Sequence, residues 1–289
     1  MERRKKIIQY VVALFAALAA VLGGLFAGGT AAAKDPGDGD PLSKGAEVFT
    51  GLGFDTCEAP SLGSMNAWRK SHYRAVGVYF GGRGRACKTQ ANLGRRWIRE
   101  VDRTGWSVLP LYVGSQSPCV MNHNKKSVPI DGDPWTVGTE EGRDAVESAS
   151  ELGMMERSAL YLDIEAYDQR DTACAEHTLS FIRAWSREVR RQGYLPGFYS
   201  SSTSGVEHLE SARRDGVRDL PDIMWFARWN VAPSLYDEPV LDRAAWAPHR
   251  RIHQYQGNVT ETHGGVTMKI DPNLVDAPVA VIDDVEPAA

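Results

Sequence analysis

Apolar and polar residues alternate most clearly in an eight-residue segment near the middle of the chain, SALYLDIE. Leu160, Leu162 and Ile164 fall on one side of an extended backbone, and the other side carries the carboxylates of Asp163 and Glu165. This period of two predicts a β-strand, and the aliphatic segments on both sides favour a sheet interior. Carboxylates there cost several kcal/mol unless they are compensated. Catalytic chemistry is the common reason for such a pair, and a solvated strand end is the alternative.

Seven further segments resemble strands, and helical patterns separate most of them. The eight predicted strands cover residues 51–57, 74–82, 106–114, 158–165, 194–201, 222–230, 251–256 and 266–271. The predicted helices cover residues 64–71, 90–103, 139–152, 178–191 and 205–214. Thr139 is the expected cap of the third helix because two glutamates follow it, where the helix dipole favours acids. A long polar loop covers residues 115–138, and the helix between strands six and seven is missing or reduced to residues 241–246.

Strands that alternate with helices pair in parallel through crossover connections. Eight strands within about 230 residues suit a closed barrel better than an open doubly wound sheet. The sequence therefore predicts an α/β protein with a single (β/α)8 TIM-type barrel over residues 49–280.

Reactive groups in such barrels lie where the strands end. Asp55 ends the first predicted strand, Asp163 and Glu165 the fourth, and Asp271 the eighth. We therefore expect these four acids to converge on one mouth. Aromatic and amide side chains near strand ends are candidates for sugar binding, although aromatic residues in a barrel more often belong to the core. These candidates are Tyr112, Tyr199, Trp229 and Asn230.

The N-terminus differs in composition from the rest of the chain. Basic residues precede an apolar run and then a small-residue stretch that ends at Ala33, which predicts a signal peptide over residues 1–33. The apolar run, about 20 residues long, also suits a retained membrane anchor, and this segment is the only expected membrane contact. Residues 34–48 are expected to be a linker, and residues 281–289 an acidic tail. The export signal fits either the general secretory or the twin-arginine route.

A formal net charge of −4, with basic and acidic residues interspersed, gives no electrostatic case for nucleic-acid binding. The sequence indicates no oligomeric state.

Four cysteines follow the predicted leader, and none has the spacing of a metal site. An even number of cysteines in an exported chain favours two disulfides. The barrel topology places Cys57 and Cys87 in neighbouring loops, and likewise Cys119 and Cys174, so we expect these two pairs among the three possible pairings.

Six short motifs in order resemble the barrel of glycoside hydrolase family 25, the muramidases that cut peptidoglycan. They are Gly53 to Asp55, Tyr161 to Glu165, Gly197 to Tyr199, Trp225 to Trp229, Gln254 with Tyr255, and Ile270 to Asn273. The closer resemblance is to the exported actinobacterial family called domain of unknown function 1906, a related glycoside-hydrolase-like barrel. The cysteines and the loop at residues 115–138 depart from most of those lysozymes, so the fold is expected to transfer better than the activity.

The resemblance implies an exported protein that acts on an N-acetylated cell-envelope glycan such as peptidoglycan, without a cofactor or a metal. Glu165 is the expected general acid, because the neighbouring Asp163 anion raises the pKa of a carboxyl group. Asp163 is expected to stay ionised and to orient the acetamido group of the substrate. Asp55 and Asp271 either support Asp163 or contact the sugar, and Gln254 is a further binding residue. The alternative is a catalytically silent glycan-binding barrel.

Overall fold

The computed structural model describes residues 39–283. The predicted leader lies outside the described residues, as do most of the linker and of the tail. The part of the tail that is described lies beside the loop before the fourth strand, where the Met155 N–H donates to the Val281 carbonyl at 2.8 Å. Across this described range, no helix combines the length and the apolar character that a membrane span requires.

Nine strands and five α-helices are formed within residues 39–283. The strands are β1 (Val48–Asp55), β2 (Tyr73–Gly81), β3 (Ser107–Tyr112), β4 (Ala159–Asp163), β5 (Leu195–Ser201), β6 (Ile223–Ala227), β7 (Arg251–Gln254), β8 (Val259–His263) and β9 (Val266–Pro278). The helices are α1 (Leu62–Trp68), α2 (Arg95–Arg103), α3 (Pro134–Glu151), α4 (Thr172–Arg191) and α5 (Glu207–Arg214).

The predicted closed barrel is confirmed: β1 to β7 pair in order, and β9 lies between β7 and β1. The prediction that all eight strands run in parallel is wrong, because β9 is antiparallel to both of its neighbours. The chain passes from β7 into the hairpin β8–β9 without a crossover helix, and a direct return of this kind produces antiparallel pairing. Asp271 therefore lies inside β9, not at a strand end, and it reaches the mouth because its register partner is Asp55.

Aspartate caps move two helix starts away from their predicted positions. Helix α3 begins at Pro134 and not at Thr139, because the Asp133 side chain accepts from the Thr136 N–H at 2.8 Å. Helix α4 likewise begins six residues before its predicted start, behind the cap Asp171. The segment between β6 and β7 contains turns and no helix.

The hydrophobic core has two layers, and the alternation along β4 decides which side chains enter each. Leu160 and Leu162 pack between the barrel and the helices, as predicted. Tyr161 points into the barrel, where it meets the Trp225 ring edge-on at 5.3 Å. Asp163 follows Tyr161 on the inner side, at the carboxyl end of the strand.

Arg251 organises the segment between β6 and β7, where the barrel lacks a helix. Its buried guanidinium donates to the Ala245 carbonyl at 2.9 Å, to the Leu235 carbonyl at 2.8 Å, and to the Asp242 carbonyl. The loop thereby packs against β7 through a cation and backbone oxygens.

We expect Arg251→Met to lower the free energy of unfolding by about 3 kcal/mol, since buried carbonyls lose a charged donor. Urea unfolding monitored by circular dichroism measures this loss. Arg243→Met, on an exposed arginine of the same loop, is the control and should stay within about 0.5 kcal/mol of the parent. Equal stability of the two variants would contradict the assigned role of Arg251.

Candidate active site

Four carboxylates meet at the carboxyl ends of the parallel strands. Asp55 ends β1, Asp163 ends β4 with Glu165 two residues beyond, and Asp271 lies opposite Asp55 on β9. The Tyr199 hydroxyl lies among them: burial first, and then the negative charges of all four acids, raise the pKa of Tyr199 well above its ordinary value. The structure thus brings together the four residues that the sequence places on three different strands.

Asp55 is fully buried and held by three hydrogen-bond donors. Tyr79 donates its hydroxyl to Oδ1 at 2.9 Å, and Gln254 and Asn273 donate to Oδ2 at 2.9 and 2.8 Å. Gly77 makes room for this carboxylate, because a Cβ at Gly77 would lie 2.5 Å from the Asp55 Cβ. Burial, and next the charge of Asp271, raise the pKa of Asp55 to about 7 against the effect of the three donors.

Asp163 is buried, and its carboxyl group is only partly compensated. The residue is 3% exposed, and Oδ1 has no hydrogen-bond partner among the described residues. Burial and then the charge of Glu165 raise the pKa of Asp163 well above its ordinary value, while Lys125 opposes the shift. This direction runs against the prediction that Asp163 stays ionised, because burial favours the neutral form of a carboxyl group.

Glu165 is the more accessible member of this pair, with about a third of its side chain exposed. The Lys125 ammonium lies 3.8 Å from its Oε1 and donates to the Gly84 carbonyl at 2.9 Å. Lys125 belongs to the long loop between β3 and α3, so this loop delivers a cation to the acid cluster.

We expect Asp163→Asn to raise the melting temperature by several degrees at pH 8. The folded-state pKa of Asp163 lies above the value of 3.8 for the free group, so ionisation costs stability as the pH rises through and beyond 3.8, and an amide removes this cost. The gain should shrink towards zero below about pH 4, where both states are protonated. Melting curves of parent and variant at pH 4, 6 and 8 test this, and a pH-independent difference would contradict it.

Gln254 connects Asp55 to two aromatic residues. Its Oε1 accepts from the Tyr199 hydroxyl and from the Trp229 indole N–H, each at 2.9 Å. Gln254 is buried, whereas Trp229 is 45% exposed and its ring lies against the backbone of Gly257. Trp229 therefore presents a fixed aromatic face to solvent.

A groove of about 560 Å³ runs beside this aromatic face, and Glu165, Tyr199 and Trp229 contribute to its lining. A second cavity of about 630 Å³ lies on the other side of the mouth, where Asp55, Asp271 and the hairpin residue Lys269 line it. The acid cluster therefore contributes to both cavities, with Glu165 in the first and Asp55 and Asp271 in the second.

Two predicted binding residues differ from the rest in position. Tyr112 does not line the mouth: its hydroxyl donates to Asp144 of α3 at 2.6 Å, and its ring packs near Trp185 in the layer between barrel and helices. One residue beyond Trp229, Asn230 is exposed, and its backbone N–H donates to the Tyr255 carbonyl at 3.0 Å.

Both predicted disulfides are formed. Cys57 is bonded to Cys87, and Cys119 to Cys174, with Cα–Cα distances of 5.7 and 6.1 Å. The first joins the loops that follow β1 and β2, and the second ties the long loop after β3 to the start of α4. Among the described residues, no group of three histidine, cysteine or acidic side chains is arranged to hold a metal ion.

Four residues around the acids were not predicted from the sequence. Strand alternation is a signal that could have identified Tyr79 and Asn273. They lie two residues after Gly77 and Asp271, on the same inner face of their strands. Gln116 and Lys125 lie in an irregular loop, where no periodicity signals the direction of a side chain.

A barrel with an acid cluster and an exposed aromatic face at the carboxyl end of its strands has the architecture of glycoside hydrolases. The sequence profile of the family described as Rv2525c-like, glycoside hydrolase-like domain matches residues 66–275. The chain belongs to this family, which confirms the glycoside hydrolase-like character that the motifs predict. A search of curated proteins gives no significant match.

Solved structures with the same fold include the Tat-secreted protein Rv2525c of Mycobacterium tuberculosis, crystallised with L-tartrate. It is 18% identical, with a TM-score of 0.53 over 78% of this chain and 96% of that chain. The spore cortex lytic enzyme SleM of Clostridium perfringens is 13% identical, with a TM-score of 0.51 over 82% of this chain and 68% of that chain. A family 25 glycosyl hydrolase from Bacillus anthracis is 14% identical over 80% of this chain and 89% of that chain, and its TM-score of 0.46 adds nothing to the fold assignment. At these identities the likeness shows the fold alone.

Proposed function

We propose that the protein is an exported glycoside hydrolase that cleaves an N-acetylated cell-envelope glycan such as peptidoglycan. The acid cluster carries this proposal: Asp55, Asp163, Glu165 and Asp271 lie at one mouth, where the negative charges of all four raise the pKa of Tyr199. Buried carboxylates destabilise a fold unless they are paired or hydrogen-bonded, so a cluster of them indicates a function. Glycoside hydrolysis requires a proton donor together with a second carboxylate.

The comparisons support the substrate class and the location. SleM is described as a spore cortex lytic enzyme, and Rv2525c is described as Tat-secreted. Two disulfides suit an oxidising compartment outside the cytoplasm. We therefore propose that the N-terminal segment directs export. We also propose that the chain is related to domain of unknown function 1906 and to the family 25 lysozymes.

In the proposed mechanism, Asp163 and Glu165 share one proton. Burial favours the protonated form of Asp163. An acetamido N–H that binds the Asp163 carboxyl stabilises its ionised form, and the proton is transferred to Glu165. Glu165 then protonates the glycosidic oxygen as the C1–O bond breaks, and the acetamido oxygen of the substrate bonds to C1. Water opens this intermediate and returns a proton to Glu165, so the step needs no cofactor or metal.

The remaining residues of the site bind the sugar or hold the binding residues in place. Trp229 offers its exposed face to a sugar ring, and sugar stacking on an aromatic face is a general recognition mode. Tyr199 lines the groove beside Glu165, and Gln254 fixes the orientations of Trp229 and Asp55. Asn230 is exposed one residue beyond Trp229, and we propose that it contacts a sugar bound there. Asp271 shares the second cavity with Asp55, and we propose that it contacts the sugar on that side.

A catalytically silent glycan-binding barrel is the second candidate, and Lys125 favours it. The Lys125 ammonium lies 3.8 Å from Glu165, so the proposed general acid already faces a cation of the protein itself. The two candidates share the binding surface and differ in turnover.

The deciding experiment incubates the mature protein with purified peptidoglycan, chitin oligomers and, as an unacetylated control, cellulose oligomers. Release of reducing ends from the acetylated glycans, absent in the double variant D163N/E165Q, supports the hydrolase. Co-sedimentation with peptidoglycan without any product supports the silent barrel. If the protein releases no product and also does not bind peptidoglycan, both candidates are refuted.

A further inference from the structure

Gln116 is a completely buried amide in the long loop that follows β3. Its backbone is held on both sides: its N–H donates to the Val128 carbonyl, and its carbonyl accepts from the Ile130 N–H, each at 2.8 Å. The loop is further tied to α4 by the disulfide between Cys119 and Cys174. The side chain of Gln116 therefore projects from a fixed position.

That side chain bridges the backbones of the two paired acids. Its Nε2 donates to the Asp163 carbonyl at 2.7 Å, and its Oε1 accepts from the Glu165 N–H at 2.8 Å. The regular pairing of β3 with β4 ends just before this point, with Tyr112 opposite Leu162. The amide of Gln116 thus supplies the donor and the acceptor that a continued β3 would have supplied.

The other side of the same segment is still paired in the ordinary way, since the Ile164 N–H donates to the Tyr199 carbonyl at 3.1 Å. The backbone that carries Asp163 and Glu165 is therefore clamped from both sides, by β5 and by one side chain. Without Gln116, a buried carbonyl and the Glu165 N–H lose their partners, and such groups relax towards other partners or water.

We propose that Gln116 is a positioning residue, which holds Glu165 at the reaction centre by completing the strand edge beyond β3. This inference rests on the proposed hydrolysis for its catalytic consequence, and on hydrogen bonding alone for its structural one. Gln116 does not touch the substrate. It fixes the direction in which the Glu165 carboxyl leaves the backbone.

The test compares Gln116→Met, which keeps the length and removes both hydrogen bonds, with Gln116→Glu. We expect Gln116→Met to lower kcat on peptidoglycan fragments by about 10- to 100-fold, the effect of misplacing a reacting group, with KM within about threefold. The carboxyl that Gln116→Glu introduces restores both the donor and the acceptor only when it is protonated. At pH 8 this variant should lack the bond to the Asp163 carbonyl and have a lower kcat than the parent, and at pH 5 it should approach the parent. A merely structural defect would not follow this pH profile.

Gln90→Met is the matched control, because the Gln90 side chain also bridges two backbones: it donates to the Cys57 carbonyl at 2.7 Å and accepts from the Ala59 N–H at 2.9 Å. It should lower the melting temperature to a similar extent and leave kcat within about twofold. A Gln116→Met variant with parental kcat, or a Gln116→Glu variant without recovery at pH 5, would overturn the proposal while the hydrolase assignment stands.

Amide hydrogen exchange separates this inference from the proposed function, because it needs no turnover. The Glu165 amide should be protected in the parent and in Gln90→Met, and should exchange at least about tenfold faster in Gln116→Met. Unchanged protection would refute the clamp even for an active enzyme. Lost protection would support it even if the parent cleaves no glycan.

Discussion

Replacing Glu165 with Gln is expected to lower the rate of glycan cleavage by about 10³-fold, because the amide cannot supply a proton to the glycosidic oxygen. Of the paired acids at the mouth, Glu165 is the one that faces the groove, and Asp163 is buried behind it. The substitution changes no volume, and no hydrogen bond to the Glu165 side chain is formed by the described residues. Reducing-end release from peptidoglycan under saturating conditions measures the effect.

A substrate with an acidic leaving group sharpens this test. The loss should be smaller on an aryl glycoside that releases 4-nitrophenol, since this leaving group departs without protonation. Glu151→Gln changes an exposed carboxylate at the end of α3 and should retain parental rates on both substrates. An equal loss on the two substrates would mean that Glu165 has another role than general acid.

Removing the disulfide between Cys119 and Cys174 by a double change to Ala is expected to cost about 4 kcal/mol. The bond closes a loop of 55 residues, and the entropy that it removes from the unfolded chain grows with the logarithm of loop length. For a domain of this size we expect the melting temperature to fall by about 10 °C. Differential scanning calorimetry of the oxidised parent and the variant checks the value.

The second disulfide provides the comparison. Cys57 and Cys87 close a loop of 30 residues, so their double change to Ala should cost about 3.5 kcal/mol, slightly less than the first pair. Only the first pair anchors the loop that carries Gln116 and Lys125, so only its loss should also lower kcat at a temperature where both variants are folded. Parental melting behaviour of the Cys119/Cys174 variant would refute its assigned contribution.

Strand alternation in the sequence predicts much of the architecture. The two sides of β4 follow from Leu160 and Leu162 on one face and Asp163 on the other, because side chains in a strand alternate at a fixed period. Asp55 and Asp163 follow from the same rule, since both end an apolar strand. The sequence predicts the starts of helices less accurately. Asp133 and Asp171 cap α3 and α4 earlier than the apolar periodicity suggests, because capping depends on one polar residue and not on a repeating pattern.

The direction of the closing strand did not follow from local pattern. A strand of the composition of β9 pairs equally well in either direction, and only the hairpin with β8 makes it antiparallel. Tyr112 was misassigned for a related reason: a residue near a strand end faces either the mouth or the helices. The helices α3 and α4, which pack against it, decide the direction of its side chain.

By itself, the sequence determined that eight strands close a barrel and that four acids belong to it, because strand period and chain order are local properties. Only the tertiary structure decided how deeply each carboxyl is buried. Burial raises the pKa of Asp163, and the sequence neighbours do not indicate this, since desolvation depends on everything packed around the group. The partners Gln116 and Lys125 come from a loop without periodicity, so their contact with Glu165 exists only once the chain is folded.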